Sequence, residues 1–376
     1  MKLQHHTEEP LATRDRPTDA GEPDRRRSGS QAVVTMRDVA RATGVSQSTV
    51  SRVLSGAPTA VPIAEQTRER VLAAARELGY RPNPLARGLR GMRTMLLGVI
   101  VRDITDPFFA GAIEAASIEA SRRGYNIVLG HAHGRADEAI ALWRVLEARH
   151  CDAILLLGDM SDQPRLIDDL RGAHVPVVAL WQGARSNNIP SVEVDNRAGI
   201  TAVLDHLTAL GHERIGFVAG RRLGDILERD EAYGDYLTQR GSATPPEGYR
   251  QHATNDPTAG GEALAAMLEL DEPPTAVVAS TDVLAIGVLH EAHERGLRVP
   301  DELSVTGFDD IPLAAFTVPA LTTVRMPVRE MVAAAVRMVI DEDGSSRSGR
   351  RLARVIEPSL VVRRSTGRRN APATEA

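Results

Sequence analysis

Seven short apolar runs punctuate the chain from residue 95 onward, at 96–101, 126–129, 153–157, 175–180, 215–219, 276–279 and 304–308, and apolar residues recur at helical spacing between them. Runs that are apolar throughout, rather than alternating, suit parallel strands covered by helices on both faces. The pattern predicts an α/β body. At roughly 270 residues it exceeds one comfortable core, so two doubly wound lobes are expected. The Asp-Glu-Asp-Gly-Ser-Ser-Arg-Ser-Gly-Arg-Arg stretch at 341–351 reads as a surface loop before a last strand near 354–362.

Upstream the texture changes twice. Residues 1–34 are rich in Pro, Arg, Asp, Glu, Ser and Gly, a composition that supports no core, and read as a disordered arm. From Thr35 a helical pattern begins, and Pro82 and Pro84 break it. Within 35–81, Thr35 is a good N-cap for a helix over 36–43, and Gly44 can take the left-handed turn that ends it. Ser46 then caps a second helix. Val39, Ala40, Val45, Val50 and Val53 supply contacts between the two, and Val71, Leu72, Ala75 and Leu78 form the inner face of a third. The second helix presents Gln47, Ser48, Thr49, Ser51 and Arg52, groups that hydrogen-bond base edges or phosphates in a DNA major groove. Asn83, with Pro84 behind it, starts a segment to residue 90 that is too short to hold as a helix alone in water.

Charge sharpens this division. Residues 1–34 are balanced, residues 35–94 hold ten Arg against four carboxylates, a net +6, and the remainder carries −11 of the chain's overall −5. A basic head on an acidic body suits a protein that meets a polyanion at one end. Lys2 is the only lysine, which excludes phosphate-loop NTPases and Schiff-base enzymes. The one cysteine, Cys151, permits no internal disulfide and reads as an apolar packing residue. No apolar run is long enough to span a membrane and no signal segment stands out, so a cytoplasmic setting is expected. His131 and His133 lack a third ligand, so neither a metal nor a cofactor is expected.

The sequence from Thr35 through the 67–90 stretch resembles the lactose-repressor (LacI/GalR) family of bacterial regulators. The likeness continues in Asp-Pro-Phe-Phe at 106–109, Gly-His-Glu-Arg-Ile-Gly at 211–216, the 274–287 segment, Gly-Phe-Asp-Asp at 307–310, Pro-Ala-Leu-Thr-Thr at 319–323 and Glu-Pro-Ser-Leu at 357–360. The resemblance implies an all-α helix-turn-helix DNA-binding head and a periplasmic-binding-protein-like body over 95–366. Its lobes would comprise about 95–194 with 322–341, and about 195–320 with 352–366, ahead of a flexible tail at 367–376. It places Thr35, Ser46, Gln47, Ser48, Thr49, Ser51 and Arg52 on the DNA. It makes 82–94 a hinge whose Asn83, Ala86, Arg87 and Leu89 enter the minor groove when two copies pair, with Leu89 as the wedge and Gly88 allowing close approach. A departure is Ala64, where the family commonly has a capping Ser.

In the body, Asp282 and Asp309 follow apolar runs, at the strand ends where open α/β sheets bind ligands. The resemblance adds Arg229, from an Arg-x-x-Gly-Tyr pattern in which Ala232 replaces the Gly, as a two-pronged donor to ligand. It adds Phe108 and Phe109 as a sugar-stacking face or as core, Trp181, and Asn255, where some relatives place an aromatic. Paired Asp and Arg favour a sugar or polyol over a purine. The implied protein is a homodimer or tetramer on a pseudo-palindromic operator, released by a small carbohydrate; corepression by another metabolite is the alternative. A solute-binding protein would lack the basic head, and no nucleophile-plus-base arrangement points to an enzyme.

Overall fold

A computed structural model describes residues 34–55, 62–80, 93–132, 135–148, 151–160, 164–181, 189–221, 224–240, 247–341 and 353–369. The chain divides into two compact units, Met1–Pro82 and Asn83–Ala376.

The first unit is three helices, α1 (Met36–Thr43), α2 (Gln47–Ser55) and α3 (Glu65–Glu77). Asp38 fixes the start of α1 by accepting from the Thr35 amide at 2.9 Å and its hydroxyl at 2.6 Å. Gly44, at φ 66°, ends it in the left-handed conformation. Ser46 caps α2, its Oγ accepting from the Thr49 amide at 3.1 Å. The core is Val39, Ala40, Val50, Val53, Val71 and Ala75, with Val45, Ile63 and Tyr80 at its rim. The expected inner face of α3 is half right. Val71 and Ala75 bury, whereas Leu72 is 38% and Leu78 39% exposed, because a helix touching two short partners offers them only a narrow stripe. Ala64 makes no side-chain cap, yet α3 runs for 13 residues. Ser46→Ala should cost about 1 kcal/mol, read as faster hydrogen exchange of the α2 amides; unchanged exchange would show the cap to be idle.

The second unit holds two six-stranded sheets. The first, in order β11 (Ala353–Ile356), β5 (Ser191–Val194), β4 (Val177–Leu180), β3 (Ala153–Leu157), β1 (Leu96–Val101) and β2 (Asn126–His131), is parallel throughout. The second, in order β12 (Ser359–Val361), β10 (Thr322–Arg325), β9 (Ser304–Asp309), β8 (Ala276–Ala279), β6 (Ile215–Ala219) and β7 (Arg250–His252), is parallel except for β12. Strands β3, β6 and β8 are buried along their whole length, as their unbroken apolar composition requires. Helices connect the strands: α4 (Pro107–Arg122), α5 (Ala136–Ala148) and α6 (Pro164–Arg171) around the first sheet, α7 (Asn196–Ala209), α8 (Gly224–Gln239), α9 (Pro257–Leu268) and α10 (Asp282–Glu294) around the second. Helix α11 (Val328–Ile340) returns to pack on α4 and β4.

The chain crosses between lobes three times, after β5, after β10 and after β11, and two expected boundaries shift accordingly. Residues 322–325, read with the first lobe, pair with β9 in the second sheet. The strand expected near 354–362 is two strands in different sheets, divided at Glu357 and Pro358, because Pro358 has no amide to continue a ladder.

Candidate functional site

On the head, Gln47, Ser48 and Arg52 are exposed on α2, while Thr49 and Ser51 are half-buried. The hydroxyl of Ser46 lies 2.7 Å from Ser48 Oγ and 2.8 Å from Thr49 Oγ1. Thr35, Ser46 and Thr49 thus hold the helix starts, and Gln47, Ser48 and Arg52 form the outward polar face. Helix α2 itself carries no acid, so nothing on it repels phosphate. Asn83, Ala86, Arg87 and Leu89 lie outside the described residues.

In the body, a cavity of about 750 Å³ opens at the carboxyl ends of the strands of both sheets, the expected ligand position for open α/β sheets. One wall is aromatic. Phe108, Phe109 and Trp181 meet edge to face, with ring centroids 4.9 Å apart for Phe108 and Trp181 and 6.1 Å for Phe109 and Trp181. Asp106 positions this wall, since its carboxylate accepts from the Phe108 amide at the start of α4. The two ring residues expected to face either ligand or core do both: they line the cavity and pack into the core of the unit.

The opposite wall is charged. Arg229, on α8, is 2% exposed and its guanidinium lies over the Phe308 ring at 3.7 Å. Its Nε donates to Asn196 Oδ1 at 2.8 Å; Nη1 donates to the Ser280 carbonyl at 2.7 Å and to Asp309 Oδ1 at 3.2 Å. Nη2 approaches Met326 Sδ at 3.4 Å and Asp225 Oδ2 at 3.5 Å. The fork expected to reach ligand is therefore occupied by protein acceptors. Burial lifts the Asp309 carboxyl well above the usual carboxylate range against the pull of Arg229, and in the same way pushes Asp225 up to about 6. Trp181 (φ 62°) and Asp309 (φ 118°) both hold left-handed backbone. Two such strained non-glycine residues on one cavity mark a site that the fold over-determines.

Asn255 joins the walls. Its amide donates to Asp106 Oδ2 at 3.0 Å, from the loop after β1, while its Oδ1 accepts from Thr281 Oγ1 at 2.6 Å, after β8. The two lobes thus touch through side chains that also line the cavity.

Asp282 belongs elsewhere. It is fully buried and does not line the cavity; Thr281 caps α10, and Asp282 accepts from the Ile311 amide at 2.8 Å and the Thr323 hydroxyl at 2.5 Å. It ties α10 to β9 and β10, a role that strand-end position alone does not separate from ligand binding. Burial pushes its carboxyl up to about 7. Because that folded value exceeds the unfolded one, Asp282 favours folding most below pH 4, and this advantage is lost as pH rises through about 7. Asp282→Asn should therefore gain on the native protein in denaturant titrations as pH climbs from roughly 5 to 8; a constant difference would show that Asp282 does not titrate in that range.

Sequence reasoning missed Asp106, Asp159, Asp225 and Thr281, which all line the cavity. Asp159 follows the 153–157 run as Asp309 follows its own, and Asp225 stands one helical turn before Arg229, so both signals were present. Cys151 is buried and its thiol is pushed up to about 11, as a packing residue requires. Among the described residues no group of three or more His, Cys, Asp or Glu is placed to hold a metal, and no helix is long and apolar enough to cross a membrane.

A three-helix head with an exposed basic and polar helix, joined to two doubly wound lobes around a polar cavity, defines a ligand-responsive DNA-binding transcription regulator. The model for bacterial regulatory proteins of the lacI family matches residues 35–83, and that for a periplasmic binding protein-like domain matches residues 204–366. Catabolite control protein A of Priestia megaterium is 35% identical over 309 residues, 81% of this chain and 91% of that protein. The lac repressor dimer bound to operator and the anti-inducer ONPF superposes with a TM-score of 0.78 at 27% identity, covering 89% of this chain and 99% of that one. The complex of the regulator CelR with cellobiose gives a TM-score of 0.65 at 27% identity, over 88% and 99%. The chain belongs to the lacI family of bacterial transcription regulators.

Proposed function

We propose that this protein is a cytoplasmic repressor that binds a pseudo-palindromic operator as a homodimer and is released by a carbohydrate in the cavity of its body, without turning it over. The observation that carries this reading is the pairing, across one cavity, of an aromatic wall with a buried Arg and Asp cluster, the combination that holds the face and the hydroxyls of a sugar ring. A ligand touching Phe108 and Trp181 on one side and Asp309 on the other changes the relation between lobes. Coupling of that change to operator affinity is expected at about 1–3 kcal/mol. The lac repressor complex with an operator and an anti-inducer, and the cellobiose complex of CelR, support both halves of the reading.

The two tryptophans give a direct test. Trp181 lines the cavity, whereas Trp143 is buried in a separate core cluster. Titration with a panel of saccharides should change tryptophan emission for the one that binds, and Trp181→Phe should abolish the change. Binding by calorimetry with unchanged emission would place the ligand elsewhere.

A second copy is expected on the loop after β9, where Phe316 is 81% and Val318 94% exposed, well beyond ordinary exposure for such side chains. Phe316→Asp should convert a dimer to a monomer in sedimentation and weaken operator binding with it; an unchanged dimer would put the interface elsewhere.

A further inference from the structure

The cavity carries information about ligand charge that its family does not. Among the described residues that line it are six carboxylates, Asp103, Asp106, Asp159, Asp225, Asp256 and Asp309, against three arginines. Charge alone would not decide the matter, because Asp106 and Asp256 also accept from the first amides of α4 and α9. The distribution of open hydrogen-bonding capacity does. A guanidinium has five N–H donors, and Arg229 directs them at Asn196, Ser280, Asp309, Met326 and Asp225, all within the protein. Asp225 shows the reverse. The residue is only 8% exposed, its Oδ2 faces Arg229, and its Oδ1 is buried with no hydrogen-bond partner. The neighbouring Asn196 amide donates to Glu228 instead, at 2.8 Å.

A buried carboxylate oxygen without a donor costs free energy until one arrives. An incoming phosphate or carboxylate would meet a guanidinium with no donor to offer, beside two buried carboxylates that repel it. An incoming hydroxyl meets an acceptor waiting for it. We infer that the effector is an uncharged, hydroxyl-bearing molecule that donates a hydroxyl hydrogen to Asp225 Oδ1, and that phosphorylated or acidic forms of the same compound are excluded. This rests on the proposed sensing role of the cavity and adds to it the charge class of the ligand and the residue that enforces it.

The test uses the full-length protein and its Asp225→Ala and Asp225→Asn variants, with folding confirmed by circular dichroism. The probes are neutral mono- and disaccharides including cellobiose, adenosine as a neutral non-sugar-class ligand, glucose 6-phosphate, gluconate and inorganic phosphate. Native protein should be stabilised against heat by a neutral hydroxyl compound and not by the three anions. Loss of a charge-assisted hydrogen bond predicts about 10- to 100-fold weaker binding of that compound to Asp225→Ala, with Asp225→Asn intermediate. Removing the carboxylate also frees Arg229 Nη2, so Asp225→Ala should acquire inorganic phosphate stabilisation that the native protein lacks, a change that simple loosening of the fold does not produce. Stabilisation by adenosine alone, lost in Asp225→Ala, would support the inference while overturning the carbohydrate reading. Tighter binding of glucose 6-phosphate than of any neutral compound, or equal affinities in native protein and Asp225→Ala, would overturn the inference.

Discussion

Replacing Arg229 with Met should destabilise the body by about 3–5 kcal/mol, the usual cost of leaving a buried charge without its partner. The expectation is large because Arg229 is 2% exposed and sits between two carboxylates, 3.2 Å from Asp309 and 3.5 Å from Asp225. A methionine fills similar volume over the Phe308 ring, so the loss reads the charges rather than a cavity. The three-helix head is a separate compact unit and contributes its own contacts, so operator binding should survive at temperatures where the body stays folded. Release by ligand should not, because Asp309 and Asp225 would then be held by protonation instead of by the guanidinium. The expected phenotype is a repressor that binds and does not let go. Denaturant titration gives the first result and operator binding with and without saccharide the second; a stability change under about 1 kcal/mol would mean that the buried cluster is not paired as described.

Arg52→Ala should act at the other end of the molecule. Removing one arginine from a groove-facing helix costs about 1–3 kcal/mol per contact, and a two-fold dimer presents it twice, so a loss of roughly 2–6 kcal/mol in operator affinity is expected. Two outcomes identify the kind of contact. If Arg52 reads a base, discrimination at one operator position relaxes; if it holds phosphate, the salt dependence of binding flattens by about one counterion per head. Saccharide affinity should remain native, since Arg52 and the cavity belong to different units. Unchanged operator affinity would remove α2 from the interface.

These two residues also show what was legible beforehand. The head was read to within a residue, because its signals are local: Thr35 and Ser46 cap, Gly44 turns, and Val39, Val50 and Val53 repeat at helical spacing. The apolar strands were equally plain. Strands β5, β7 and β10 were not, since Ser-Val-Glu-Val, Arg-Gln-His and Thr-Thr-Val-Arg carry too little apolar character to stand out from loops. The lobe boundaries failed for a related reason. A crossover is decided by which sheet edge a strand finds, and nothing in Thr322–Arg325 or Ala353–Ile356 records that non-local choice. In the cavity, Phe108, Phe109, Trp181, Arg229, Asn255 and Asp309 were found, whereas Asp282 and Asp225 exchanged expectations. Both are acids near a helix start, and only the fold reveals that one is tied to Thr323 while the other keeps a buried oxygen open.

The account's central claim is that a DNA-reading head answers to a ligand in the body, and a mobility-shift assay tests it most directly. The DNA is the region upstream of the protein's own coding sequence and of neighbouring promoters, and the ligand is the saccharide that most changes Trp181 emission. Native protein should shift a pseudo-palindromic fragment and release it as saccharide is added, Arg52→Ala should fail to shift it, and Arg229→Met should shift it and hold it. Equal shifting by native and Arg52→Ala protein, or saccharide release that persists in Arg229→Met, would contradict the account.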